Sequence, residues 1–208
     1  MISERRMDRA LWSATATGNV RMVAQLLSQG ARVDIRDSDG YTPLLLAASY
    51  GDARIVALLL SEGARVDTRD SQGYTPFLAA AEYGFSEVCE LLLSNGSDLE
   101  ESEPHSHTTA LHKAAVGGHQ NLLQLLLSHK ADVNLRDRAG FSPLHFASQA
   151  QAGHPAFVEK LLQNGADPLL PQNSGALPIH MAAMFNRHEV VKILIEQGRC
   201  SPDQVRHI

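Results

Sequence analysis

The stretch RDSDGYTPLLLAASYGD, residues 36–52, returns 33 residues later as RDSQGYTPFLAAAEYGF, residues 69–85, with twelve of seventeen positions identical. A catalytic motif has no obvious reason to occur twice in one short chain, whereas a structural unit that needs neighbours does. The spacing therefore predicts a repeat architecture, in which each unit buries its apolar face against the next one.

The duplication extends over most of the chain. Each unit starts with a Thr-Pro-Leu-like motif, passes through a pair of small residues to a turn, and continues into an apolar segment such as ARIVALLLSEGA. Apolar residues at i, i+3 and i+4 in that second segment predict a helix buried on one side. We count six repeats in a single domain spanning 1–208, the first and last serving as caps. Their predicted ranges are 7–36, 40–69, 73–102, 107–136, 140–170 and 174–203.

The start of each unit contains the signals of a helix N-terminus. Thr42 and Thr75 can cap a helix with their hydroxyls, which is worth about 1 kcal/mol, and Pro43 and Pro76 suit the first helical position. The second helix ends where a left-handed residue is expected. That position is occupied by Gly30, Gly63, Gly96, Gly165 and Gly198. The polar segment that follows each of them predicts a hairpin-like finger.

The stretch DGYTPLLLAASYGDARIVALLLSEGARVD, residues 39–67, resembles the ankyrin repeat, whose pattern runs D-x-x-G-x-T-P-L-H-x-A-A-x-x-G-H-x-x-V-V-x-L-L-L-x-x-G-A-x-V-N. The resemblance covers roughly residues 8–203. It implies an all-α ankyrin-repeat solenoid of stacked helix-turn-helix units, with projecting β-hairpin-like fingers and a concave binding face.

Departures from the family pattern make the repeats unequal. Leu45 and Leu78 replace the motif histidine that repeats 4 to 6 retain, so repeats 2 and 3 should depend more on apolar packing. Repeat 4 follows an insertion, has Ala110 in the proline position, and has Lys130 in the left-handed position, which costs roughly 1–2 kcal/mol. We therefore expect the stack to open most easily around repeat 4. In repeat 5, two extra residues within SQAQAGHP should lengthen the first helix or its turn.

Composition and charge favour a protein partner. A net charge of -5 argues against a sequence-independent grip on nucleic acid. No apolar run reaches membrane-spanning length, and the polar N-terminal segment lacks the pattern of a secretory signal. The cysteines, Cys89 and Cys200, are too few for a disulfide framework. We expect a monomer in the cytoplasm, the nucleus or both, with neither a nucleic acid nor a membrane as partner.

Candidate catalytic and metal motifs are weak. HEVVK, starting at His188, has lysine where the zinc-protease helix motif requires a second histidine. His105 and His107 stand among carboxylates, but a mobile polar loop explains them better because nothing around them would fix ligand geometry. Cys89 lies in an apolar stripe and should be a small buried hydrophobe. We therefore expect no enzyme activity, no metal site and no cofactor.

The resemblance implies that partners bind to the fingers and to the inner face of the first helix in each pair. Tyrosine is enriched in interfaces, and all four tyrosines fall in these positions. For Tyr41 and Tyr74 the alternative is that they pack against the finger of the next repeat. The predicted partner-binding residues are Tyr41, Tyr50, Tyr74, Tyr83, Arg36, Arg69, Asp39, Glu82, Phe141 and Phe185.

Charge in the fingers adds a hypothesis about the partner. Arg36 and Arg69 precede Asp37 and Asp70, and these neighbours form either a solvated Arg–Asp ladder or part of a mixed Arg/Tyr surface. The third finger, which contains Asp98, Glu100, Glu101 and Glu103, is acidic. A partner segment with an acidic or polar part followed by basic residues would match this order, and its binding should weaken at high salt.

The sequence predicts a non-catalytic protein-protein interaction module of the adaptor or scaffold type. The alternative is an inhibitory regulator that occupies the site of a bound enzyme or transcription factor, as some ankyrin proteins do. Asn134 in ADVNLRD matches the finger asparagine that asparaginyl hydroxylation can target in this family, so the resemblance implies it as a modification site.

Overall fold

The computed structural model describes residues 4–150, 154–198 and 200, and over these residues it contains twelve α-helices and a single isolated β-bridge. Each predicted repeat range contains one pair of helices, although the first helix begins three residues ahead of its range. The helices are α1 Glu4–Ala16, α2 Val20–Ser28, α3 Pro43–Tyr50, α4 Ala53–Ser61, α5 Pro76–Glu82, α6 Ser86–Ser94, α7 Ala110–Gly117, α8 Gln120–Ser128, α9 Pro143–Gln149, α10 Pro155–Gln163, α11 Pro178–Met184 and α12 His188–Glu196.

The chain divides into two compact units, Met1–Asp98 and Leu99–Ile208. In the first unit the leading helices α1, α3 and α5 pack side by side, and the second helices α2, α4 and α6 form another layer. In the second unit α9 packs between α7 and α11, α10 packs on α12, and each leading helix also contacts its own partner. The predicted all-α solenoid of stacked helix pairs is confirmed.

Threonine hydroxyls start the leading helices of repeats 2 and 3. Thr42 Oγ1 accepts a hydrogen bond from the Leu45 N–H at 3.2 Å, and Thr75 Oγ1 accepts one from the Leu78 N–H at 3.2 Å. Proline follows each cap at the first helical position. The capping prediction is confirmed. Leu45 and Leu78 are 1% and 0% exposed, so apolar packing replaces the missing histidine, as predicted.

A buried histidine ties neighbouring repeats together in the second unit. His145 Nδ1 accepts a hydrogen bond from the Ser142 N–H at 3.1 Å, and its Nε2 lies 3.1 Å from the carbonyl oxygen of Ala176. Burial lowers the pKa of His145 to about 4. His112 occupies the same position one repeat earlier, and burial lowers its pKa as well.

Most of the second helices end at a left-handed residue, as predicted. The φ angles of Gly30, Gly63, Gly96 and Gly165 are 91°, 84°, 95° and 88°. Lys130 adopts φ 66° and therefore carries the strain expected of a residue with a Cβ atom.

The prediction for Gly198 is wrong, because its φ is not in the left-handed region. Gln197 retains helical dihedral angles of φ -101° and ψ -36°, so the helical turn is not reversed there. A Cβ atom on Gly198 would lie 2.6 Å from the carbonyl oxygen of Leu194. A close backbone approach, not a left-handed turn, accounts for this glycine.

The extra residues of repeat 5 do not lengthen its first helix. Helix α9 has seven residues, the same length as α5 and α11. The extra residues therefore fall in the connection after Gln149, of which residues 151–153 lie outside the described part of the chain. Residues 201–203 of repeat 6 also lie outside it.

The fingers that contain Asp37, Asp70 and Asp137 are hairpin-like turns, and each is built around its aspartate side chain. The Asp37 N–H donates to the carbonyl oxygen of Tyr41 at 3.1 Å, while Asp37 Oδ1 accepts hydrogen bonds from the N–H groups of Asp39 and Tyr41 at 3.0 and 2.8 Å. Asp70 and Asp137 make the same set of bonds in their own fingers. The aspartate carboxylates therefore serve primarily to shape the finger tips.

Within the described residues, no helix combines the length and apolar character needed to cross a lipid bilayer. Cys89 and Cys200 are free and buried. Burial raises the pKa of the Cys89 thiol to about 12, so it behaves as the small buried hydrophobe that its apolar stripe predicts.

Candidate functional site

The four tyrosines line one cleft of about 390 Å³ in the first unit. Tyr41 and Tyr74 each follow a finger, Tyr50 is the last residue of α3, and Tyr83 follows the last residue of α5. The repeat spacing thus brings pairs of equivalent positions from adjacent repeats together. The other lining residues of this tyrosine cleft are Leu46, Ser49, Asp70, Gln72, Ala79 and Glu82.

The tyrosines differ in how far they are exposed. The side chains of Tyr50 and Tyr83 are 62% and 61% exposed, whereas Tyr41 and Tyr74 are half-buried. The ring of Tyr83 stacks on Phe85 with a centroid separation of 5.9 Å. Among the described residues, the hydroxyls of Tyr41, Tyr50 and Tyr83 have no hydrogen-bond partner, so they can bond to a ligand.

Asp70 forms a fixed carboxylate in the wall of the cleft. It is only 9% exposed, and its Oδ1 accepts hydrogen bonds from the N–H groups of Gln72 at 2.9 Å and Tyr74 at 2.8 Å. Within the described part of the chain, its Oδ2 accepts no hydrogen bond. The geometry of the finger therefore holds one carboxylate oxygen in place, and Asp70 is part of the cleft lining.

The electrostatic environment of the cleft is negative. Its lining contains the carboxylates of Asp70 and Glu82 and no lysine, arginine or histidine. Burial, and next the negative charges of Asp70 and Asp37, raise the pKa of the Tyr41 hydroxyl above its ordinary value. The cleft thus combines aromatic faces with negative charge.

The predicted contact arginines lie outside the tyrosine cleft and bind the fingers. Arg36 Nη1 donates to the carbonyl oxygen of Arg69 at 2.8 Å, and Arg69 Nη1 donates to that of Gly73 at 2.7 Å. The ladder interpretation is wrong for Arg36 and Asp37, because the guanidinium group binds carbonyl oxygens and the carboxylate binds N–H groups. Asp39 is exposed in the same finger and also lies outside the cleft.

The other two predicted contact residues belong to the second unit. Phe141 is half-buried, with its ring centroid 5.5 Å from those of His145 and Phe146, so it contributes to an internal aromatic cluster. Phe185 is 42% exposed, and its neighbour Met184 is 58% exposed. Of the two phenylalanines, Phe185 is therefore the more accessible to a partner.

Asn134 joins two neighbouring fingers of the second unit. Its Nδ2 donates to the carbonyl oxygen of Gly165 at 3.0 Å, and its Oδ1 accepts a hydrogen bond from the Asp167 N–H at 2.8 Å. Both ends of the side-chain amide are thus occupied in the folded chain.

Neither histidine motif considered in the sequence forms a metal site in the described structure. His105 and His107 are exposed in the finger that leads into helix α7, and His188 starts helix α12. Over the described ranges, no three His, Cys, Asp or Glu side chains are grouped as a metal ion would require.

Two features of the structure are not evident from the sequence. A second cleft of about 630 Å³ in the first unit is lined by Trp12 together with arginines and aspartates from α1 and the first finger. In the second unit, Lys113 is 8% exposed and its Nζ lies 2.6 Å from Glu103 Oε1. Lys113 itself could have indicated this ion pair in the sequence, because the equivalent position in other leading helices is occupied by Leu46, Ala79 or Phe146.

Comparisons with known proteins agree on one family. The family model for ankyrin repeats (3 copies) matches residues 11–103, 99–172 and 149–206. The crystal structure of EF0377, an ankyrin repeat protein, is similar with 28% identity and a TM-score of 0.83, covering 91% of this chain and 98% of that one. No curated protein matches the sequence.

Two further solved structures give the same result. An ankyrin repeat domain from Acinetobacter baumannii AYE has 28% identity and a TM-score of 0.81, covering 90% of this chain and 97% of its own. The ankyrin repeat domain of Bcl-3, described as a unique member of the IkappaB protein family, has 30% identity and a TM-score of 0.79, covering 91% and 86%. The chain belongs to the ankyrin repeat family.

Proposed function

We propose that this chain is a non-catalytic interaction module of the adaptor or scaffold type, which binds a protein or peptide partner through the tyrosine cleft. Ankyrin repeats generally act as protein-protein interaction modules. The observation that carries the proposal is the convergence of all four tyrosines on one cleft, with Tyr50 and Tyr83 more than half exposed.

Two physical properties of the cleft support this role. Tyrosine combines a large, stiff ring with a polar tip, which suits it to protein interfaces. Truncation of such an anchor side chain can cost about 2 kcal/mol or more of binding free energy. The cleft is also rigid, because Asp70 fixes its finger and the Ser71 N–H donates to the carbonyl oxygen of Asp39 in the neighbouring finger at 2.8 Å. A partner would thus meet a preformed surface.

Quantitative affinity capture tests the proposal. The wild-type chain, the Tyr50→Ala/Tyr83→Ala variant and a control variant are used as bait in parallel, and captured proteins are compared by mass spectrometry. The matched control is Met22→Ala/Leu169→Ala, which truncates two apolar side chains that are 43% and 46% exposed and lie outside the cleft.

We expect a defined set of proteins to be retained by the wild type and the control and lost with the tyrosine variant. Equal capture by all three baits would contradict the proposal. Once a partner is identified, its own activity with and without added chain separates an adaptor from the alternative, an inhibitory regulator.

The proposal includes a monomeric chain in the cytoplasm, the nucleus or both, and size-exclusion chromatography with light scattering measures its oligomeric state.

Asn134 is proposed as the position of asparaginyl hydroxylation. Its occupied amide implies that modification requires local opening of the finger. Incubation of the purified chain with an asparaginyl hydroxylase should add the mass of one oxygen atom to the peptide containing Asn134. The Asn134→Gln variant serves as the control, and an unmodified peptide in the wild type would contradict this assignment.

A further inference from the structure

The charge of the tyrosine cleft narrows the chemistry of its ligand. Four tyrosine rings line the cleft, aromatic rings carry negative electrostatic potential on their faces, and the lining adds two carboxylates without any basic residue. A ligand carboxylate or phosphate would be repelled in such an environment. A purely apolar side chain would leave the carboxylate of Asp70 without its water and without a partner, at a cost in free energy.

Asp70 supplies the directional contact. Because Oδ1 is held by two backbone N–H groups, the carboxylate cannot turn away when a ligand enters. Its Oδ2 can accept a charge-assisted hydrogen bond, which is stronger than a bond between neutral groups. At 9% exposure, this carboxylate is also poorly screened by solvent.

The negative environment extends beyond the lining. Asp37 and Asp39, in the finger that leads to Tyr41, add carboxylate charge near the Tyr41 hydroxyl. The neighbouring Arg36 and Arg69 do not line the cleft, and their guanidinium groups donate to finger carbonyl oxygens. A volume of about 390 Å³ is large enough for one long side chain.

We propose that the tyrosine cleft binds a cationic side chain, arginine or lysine, that projects from a partner polypeptide, with the tyrosine rings against its charged group and Asp70 Oδ2 as its hydrogen-bond acceptor. Cation–π contacts and a charge-assisted hydrogen bond then act on the same group. This inference rests on the proposed function, because it assumes that the partner occupies the cleft.

A cationic ligand in this cleft reverses part of the order of charges along the partner that the sequence suggested. A mixed Arg/Tyr surface would have favoured an acidic or polar segment at this end of the partner. The structure separates the arginines from the tyrosines, because the guanidinium groups are used to brace the fingers. A basic residue is consequently expected opposite repeats 2 and 3.

The test uses tyrosine-labelled chain and three small probes. The chain has four tyrosines and all of them line the cleft, so joint shifts of the NMR signals of ¹³C-labelled tyrosine rings report on this site. A shift confined to Tyr50 would instead report on the neighbouring pocket that this residue also lines. The probes are the Nα-acetyl amides of arginine, lysine and citrulline. Citrulline is the neutral counterpart of arginine, so it separates charge from shape. Labelled phenylalanine rings serve as an additional reporter.

We expect the arginine probe, the lysine probe or both to shift the tyrosine signals saturably, with citrulline ineffective at the same concentrations. The probe with the lower dissociation constant identifies the preferred cation. The Asp70→Asn variant keeps an Oδ1 acceptor for the finger and removes the charge, so it should weaken cation binding by about tenfold. Asp137→Asn, which alters the equivalent finger aspartate of the second unit, should leave binding unchanged.

The inference would be overturned by equal shifts with the charged and neutral probes, or by no tyrosine shift with any probe. Undiminished cation binding by Asp70→Asn would also contradict it. The capture experiment with Tyr50→Ala/Tyr83→Ala remains an independent measure of partner docking. Partner loss in that experiment without a cation response would reject the cationic ligand alone, whereas unchanged capture would reject the proposed function itself.

Discussion

His145 Nε2 lies 3.1 Å from the carbonyl oxygen of Ala176, and this contact joins one repeat to the next through a buried imidazole. The other ring nitrogen, Nδ1, faces the Ser142 N–H, which can only donate. Nδ1 must therefore be unprotonated, and Nε2 carries the hydrogen that is donated to Ala176. A second proton on the ring would break the bond to Ser142.

This arrangement predicts that acid destabilises the second unit. Because burial lowers the folded-state pKa of His145 to about 4, the unfolded chain binds more protons between about pH 6.5 and pH 4. The stability contributed by the neutral ring is thus complete above about pH 6.5 and is lost as the pH falls to about 4, by an amount on the order of 3 kcal/mol. Denaturant unfolding at a series of pH values, with hydrogen exchange to locate the loss, measures this effect.

The His145→Leu variant provides the control for acid lability. Leucine already occupies the equivalent buried position at Leu45 and Leu78, so the side chain is compatible with the fold. The variant should lose stability at neutral pH, because the Ala176 carbonyl loses its donor, but its pH dependence between about 4 and 6.5 should be weaker. An unchanged pH dependence would show that another group causes the acid lability.

Lys130 should be a site of stored strain. With φ 66°, it adopts a conformation that costs a residue with a Cβ atom roughly 1–2 kcal/mol. Lys130→Gly should therefore raise the free energy of unfolding by about 1 kcal/mol, after the larger chain entropy of glycine is deducted. The reciprocal control, Gly165→Lys, should destabilise the chain by a similar amount, since Gly165 has φ 88°.

The same strain predicts where the chain opens first. Amide hydrogens of α8, which ends just before Lys130, should exchange faster than those of α4 or α10, and Lys130→Gly should slow them. Uniform protection across repeats 2 to 5 would contradict the expectation that repeat 4 is the weakest part of the chain.

Asn134→Ala should destabilise the second unit by about 1–3 kcal/mol, because it removes two hydrogen bonds between neighbouring fingers. Asn164→Ala is a suitable control, since the Asn164 side chain is exposed and, among the described residues, bonds only to the Lys160 carbonyl oxygen of its own helix. Thermal or denaturant unfolding of both variants tests the difference. Equal effects would mean that the bonds from Asn134 contribute little.

The repeat architecture was readable from the sequence because every unit must start, pack and turn in the same way. Thr42 and Thr75 cap helices and Lys130 is left-handed, since these roles depend on local backbone geometry. Convergence of the tyrosines also followed from spacing, because equivalent positions in adjacent repeats lie side by side. Periodicity was thus sufficient to predict stacked helical units, whereas the solenoid geometry and the expected binding positions followed from the resemblance to the ankyrin repeat.

What the sequence did not reveal depends on contacts between side chains and distant backbone. Arg36 and Asp37 are neighbours of opposite charge, yet each binds backbone groups, and nothing in the local pattern indicates that choice. The pairing of Lys113 with Glu103 likewise requires the fold of the inserted finger. The negative charge of the tyrosine cleft could be derived only from the structure, in which Arg36 and Arg69 bind the fingers and do not line the cleft.

Replacing Tyr50 and Tyr83 by alanine should leave the fold stable. Both rings are more than half exposed, so their truncation removes little buried apolar area, and the change in unfolding free energy should be within about 0.5 kcal/mol for each. Tyr83 is the more sensitive of the two because its ring stacks on Phe85. Denaturant unfolding of the single and double variants measures this. A loss above about 2 kcal/mol would show that the rings support the stack itself, and the cleft would then be structural rather than a binding surface.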